Sequence, residues 1–254
     1  MAAGVLIAMA ARAWALSVSP ARTEIRLPPG GKATAIITVT NPHAEPYNVE
    51  LSEKPWFIYP ENRKIQVADW LKLPWRKHFR LNPGKSRDVK ITVRCPKEAT
   101  GELMGMVSFA YQGMKISMIT PMISTAVYLD VIGTEKVIGE IVNLGAGTQN
   151  GKFQVGARIK ATGNVRLHPA GRVRLMNDQG QMVSEYIVAE ASPIFPGMTR
   201  DYAGKGPDNP PPAGHYILFA DLNSGTLELK ADQGILVKAN GDVEMDVTKA
   251  APKP

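Results

Sequence analysis

Residues 88–95 constrain the fold more than any other stretch of the chain. Val89, Ile91, Val93 and Cys95 are apolar, and Asp88, Lys90, Thr92 and Arg94 between them are polar. A period of two sends alternate side chains to opposite faces, so this segment reads as a strand with one face in a core and one in water. The turn Asn82-Pro83-Gly84-Lys85 leads into it. Tyr47, Val49 and Leu51 alternate in the same way with Asn48, Glu50 and Ser52, and residues 34–41 form a β-branched run closed by Asn41-Pro42. Residues 103–111, 115–119 and 125–132 bring the series to roughly seven strands by Gly133, the count of an immunoglobulin-like sandwich.

A second series follows the polar hinge Gly133-Thr134-Glu135-Lys136, with strand patterns at residues 154–161, 171–176, 182–188 and 215–222. Asn177-Asp178-Gln179-Gly180 reads as a tight hairpin turn with glycine at the left-handed position. The proline-rich residues 207–212 are a loop, since proline cannot donate to a central ladder. Gly145-Ala146-Gly147 reads as a turn, because no helix pattern follows it to make a phosphate loop. The chain has 23 glycines and 20 prolines and no amphipathic period longer than a turn or two. It is therefore expected to be all-β, with two consecutive immunoglobulin-like β-sandwich domains at residues 16–133 and 134–238. A length of 254 residues lets each bury a core without disulfides or metals. Residues 239–254 are polar, alanine-rich and proline-terminated, and read as a mobile tail.

Residues 5–11 form a short apolar run and Ala13-Trp14-Ala15 is a small-x-small cleavage signal, so residues 1–15 read as a signal peptide. The run is too short to span a bilayer. A periplasmic or extracellular location without a membrane span in the mature chain is the expectation. The single cysteine excludes an internal disulfide, and the phase of Cys95 with Val89, Ile91 and Val93 makes it a packing thiol. The net charge of +7 is densest at Arg76, Lys77, His78 and Arg80, short of the stripe and module that nucleic-acid binding needs.

Chemistry-bearing patterns are sparse. His43, His78, His168 and His215 are scattered without metal-ligand spacing, and neither a Gly-x-Ser-x-Gly elbow nor a His-Glu-x-x-His helix occurs. No catalytic residue, no cofactor and no enzymatic activity are expected. Five of the eleven methionines, Met104, Met106, Met114, Met118 and Met122, crowd into one stretch. Their thioethers suit core packing, an adaptable partner-binding edge or a copper(I) site. Pro121 interrupts residues 115–132 and favours an edge there.

The segment Ser17-Val18-Ser19-Pro20-Ala21-Arg22-Thr23-Glu24-Ile25-Arg26-Leu27 follows the apolar leader and opens the strand series. It resembles the first strand of the periplasmic pilus-assembly chaperones, the PapD-like family. The resemblance implies a chaperone that lends the last strand of its first domain to an incomplete subunit, while two basic residues hold the subunit's terminal carboxylate. Arg22 followed by Thr23 matches the first of these. Residues 125–132 match the donor strand, with Val127 and Leu129 on one face. Ala126, Val127, Tyr128 and Leu129 stand where the family has its lysine, which leaves Lys115 as the candidate second cation. The implied partners are secreted or pilin-like subunits and an outer-membrane usher. The alternative is an envelope- or wall-associated adhesion or scaffold protein built from the same sandwiches.

Overall fold

Residues 15–56, 64–113, 119–190 and 192–246 are described by a computed structural model. They divide into two compact units at the Gly133–Thr134 bond. Each unit is a sandwich of two sheets, so the fold is all-β with two immunoglobulin-like domains. No helix among the described residues is long and apolar enough to cross a membrane. The leader up to residue 14, the strand pattern at 115–118 with Lys115, Met114 and Met118, and the chain from residue 247 lie outside the described residues.

The first unit contains β1 (Ser17–Ser19), β2 (Arg22–Leu27), β3 (Lys32–Thr40), β4 (Tyr47–Pro55), the one-turn helix α1 (Val67–Trp70), β5 (Leu71–Lys72), β6 (His78–Leu81), β7 (Ser86–Arg94), β8 (Gly101–Gln112) and β9 (Met122–Val131). One sheet has the order β1-β3-β7-β5 and the other β2-β9-β8-β4-β6. The alternating residues Val89, Ile91 and Val93 of β7 face Val49 and Leu51 of β4, Val107 and Phe109 of β8, and Val127 and Leu129 of β9 in one buried cluster. Cys95 completes the β7 face and is buried, which pushes its thiol pKa up. Trp70 and Val67 of α1 close the core over Gly105, where a Cβ would stand 2.8 Å from Val67 Cγ1. Asn41 ends β3 as expected. Its fully buried amide donates to Glu45 O (2.7 Å) and Leu81 O (3.2 Å), and its Oδ1 accepts from His43 N, so burial leaves it satisfied.

The second unit contains β10 (Gly139–Gln149), β11 (Lys152–Ala161), β12 (Ala170–Asn177), β13 (Met182–Val188), β14 (Thr199–Gly204), β15 (Gly214–Ser224), β16 (Leu227–Val237) and β17 (Val243–Met245). Its sheets are β10-β11-β14 and β13-β12-β15-β16-β17. The β12–β13 turn carries Gly180 at φ +74°, and Gly180 N donates to Asn177 O at 3.0 Å.

Two expectations are corrected here. Gly145-Ala146-Gly147 lies within β10, opposite Gly156, Val155 and Gln154 of β11. Leu144 and Ala146 point into the core and the glycines point out, which is strand periodicity with small outward residues. Within the expected tail, Val243–Met245 pairs with Ile235–Val237. Val243 packs on the core, and one inward residue among polar ones is too short a period to read from sequence.

Candidate partner-binding edge

The N-terminal strand divides between the two sheets of the first unit. β1 pairs with β3 in one, and after the cis Ser19–Pro20 bond β2 pairs in parallel with β9 in the other. The crossing point is held by two bonds. Thr125 Oγ1 donates to Pro20 O at 2.7 Å, and Ala126 N donates to Ala21 O at 3.2 Å.

Pairing between β2 and β9 starts at Arg22 beside Ala126 and runs to Leu27 beside Val131. β9 begins four residues earlier, and there it is paired with β8 alone, with Ala110 opposite Met122 and Ser108 opposite Ser124. The amides of Ala126 and Ile132 point toward β2. By the period of two, those of Met122 and Ser124 point to the same side. No strand among the described residues is paired with β9 on that side there. An open stretch of this kind offers unpaired donors and acceptors to an incoming chain. Met122 adds an apolar side chain that is 50% exposed.

The sequence-predicted residues separate on this frame. Arg22 is at the first position of β2 with its side chain in solvent, 3.5 Å from Glu24 Oε1. It lies on the same sheet face as Ala126, Ser124 and Met122, at the point where the open stretch ends. Thr23 points the other way, beside Val127, and its buried Oγ1 has no hydrogen-bond partner. Lys115 is outside the described residues.

Val127 and Leu129 are corrected: both are fully buried in the sandwich core and present no binding face. The physical reason is that their face packs against Val89, Ile91 and Val93 of the other sheet, while β2 pairs along the backbone edge of β9 from Ala126 onward. Tyr128, on the opposite face, is also buried, with its ring 5.7 Å from that of Trp56. The near-continuous apolar run of residues 126–129 fits a strand buried on both faces. The edge inferred from Pro121 survives only just beyond it. Pro121 O accepts from Tyr111 N at 3.0 Å, and its missing amide falls ahead of the first strand residue.

The outer edge of the sheet passes to β2. Its solvent-facing residues Arg22, Glu24 and Arg26 are charged, and Arg26 stands 3.9 Å from Asp130. Charge along an edge discourages indiscriminate pairing. The methionines divide as well: Met104 is fully buried, whereas Met122 is half exposed. Among the described residues no group of three His, Cys, Asp or Glu side chains could hold a metal ion.

No family model matches the sequence, and no curated protein matches it. The structure is similar to the class 5 fimbriae chaperone CfaA, with 15% identity over 92% of this chain and 100% of that one and a TM-score of 0.47. It is also similar to the E. coli chaperone DraB, with 15% identity, coverage of 86% and 96% respectively, and a TM-score of 0.44. A third is the CsuC–CsuE chaperone-tip adhesion subunit complex from Acinetobacter baumannii, with 10% identity, coverage of 74% and 89%, and a TM-score of 0.39. These likenesses to PapD-like pilus chaperones are distant.

Proposed function

We propose that the protein is an exported chaperone, carried out by residues 1–15, that binds secreted, pilin-like subunits by strand addition and performs no covalent chemistry. One observation carries this reading: the stretch of β9 from Met122 to Ser124 that β2 leaves uncovered. An extended chain laid beside it satisfies the outward amides of Met122 and Ser124 and meets the Met122 side chain. A chain in that position stops at the start of β2, against Arg22. A terminal carboxylate there accepts charge-assisted hydrogen bonds from an exposed guanidinium that stands beside the neighbouring Glu24. An outer-membrane usher is a further partner under this reading.

The test is co-purification of secreted subunits with the full chain and with Met122→Asp. The variant places a charge on the open edge and leaves the core untouched. Capture is expected to fall at least about tenfold, with the melting temperature unchanged. Undiminished capture by a folded variant would move the binding site away from this edge.

A further inference from the structure

The opposite edge of the same sandwich presents Trp75, which is 95% exposed. A tryptophan left in water is unusual, and Trp70, five residues earlier, is buried. Trp75 lies on the crossover from β5, at the edge of one sheet, to β6, at the edge of the other. That crossover is anchored on both sides of the indole. Leu73 packs against the core, and Lys77 O accepts from Leu51 N at 2.8 Å.

Beside it is a crevice of about 190 Å³ lined by Leu51, Pro74 and Phe79 and by the cations Arg76, Arg87 and Lys90. The Arg87 guanidinium lies 4.2 Å over the Phe79 ring. The crevice has one carboxylate, Asp88, which accepts from Thr38 Oγ1 at 2.8 Å. The neighbouring Lys77 is already matched by Glu53 at 3.2 Å, and the His78 ring stands 4.0 Å from Glu50. Arg76, Arg87 and Lys90 are left as surplus positive charge around a projecting indole.

We propose that this edge docks the first unit onto an anionic lipid surface, with Trp75 in the headgroup layer and the crevice cations on lipid phosphates. The indole has an apolar body and a polar N–H, which suits the boundary between headgroups and acyl chains. A protein partner favours an apolar interface core around its aromatic anchor, whereas Arg76, Arg87 and Lys90 line the crevice beside Trp75. The crevice is small and positive, as a phosphate requires. β6 and β2 are opposite ends of one sheet, so lipid docking leaves the Met122 edge free.

The full chain is to be sedimented with phosphatidylcholine vesicles, with and without phosphatidylglycerol. Binding is expected only to the anionic vesicles. Trp75→Ala should weaken it about tenfold or more, and Arg76→Ala about fivefold, with thermal melts confirming that both variants fold. Inorganic phosphate at matched ionic strength should leave vesicle binding in place. Equal binding to both vesicle types, or no effect of Trp75→Ala, overturns the proposal. Displacement by phosphate would reassign the crevice to a free anion, and Trp75-dependent retention on polyglutamate without vesicle binding would reassign the edge to an acidic polypeptide.

Discussion

The two ends of β9 are one strand in sequence and two different environments in space. From Ala126 to Val131 it is flanked by β2 and β8, and Val127, Leu129 and Val131 are sealed in the core. From Met122 to Ser124 it is paired with β8 alone, and Met122 is half exposed. The difference comes from where another segment, the N-terminal strand, leaves one sheet and joins the other. A strand's capacity to accept a partner is therefore set by its neighbours more than by its own residues.

Breaking the covered end should have the largest effect. Leu129→Asp places a carboxylate where no partner can reach it, at a cost of at least about 4 kcal/mol. The variant should be insoluble or unfolded by urea titration and circular dichroism. A stably folded Leu129→Asp protein would mean that this end of β9 is not sealed in the core, and the comparison would fail.

Two threonines at the boundary sharpen it, with effects of opposite sign. Thr125 Oγ1 bonds Pro20 O, so Thr125→Val strands a carbonyl and should destabilise by about 1–2 kcal/mol. Thr23 Oγ1 is buried without a partner, so Thr23→Val should be neutral or stabilising by about 1 kcal/mol. Chemical denaturation of both variants tests the pair, and destabilisation by Thr23→Val would show that its hydroxyl has a structural role.

The smallest effect is expected at Arg22. Its pair with Glu24 is solvent-exposed on both sides, and such pairs contribute little. Arg22→Ala should change stability by less than about 0.5 kcal/mol, measured by thermal melt. A larger loss would make Arg22 part of the fold instead of a group held available at the end of the open edge.

Much of the architecture was legible in the residues themselves. The alternation through Val89, Ile91 and Val93 placed β7 and its buried face, because side-chain direction along a strand follows from covalent geometry alone. Asn41-Pro42 and Asn177-Asp178-Gln179-Gly180 marked turns through local hydrogen bonds and a left-handed glycine, which are also short-range. The site was legible only in part. Arg22 stood out through its place in the first strand, but Val127 and Leu129 could not be told from donor-face residues, since alternating apolar side chains serve a core or a partner equally well. Met122 stood out only as one of five crowded methionines beside Pro121, and Trp75 carried no distinguishing local signal.

Local periodicity thus determined that the chain is all-β, where many of its strands and turns fall and which residues alternate inward. Tertiary structure alone decided which strand is interior and which is an edge. That depends on β2, about a hundred residues away from β9 in sequence, and strand pairing over such a separation leaves no periodic trace in either segment.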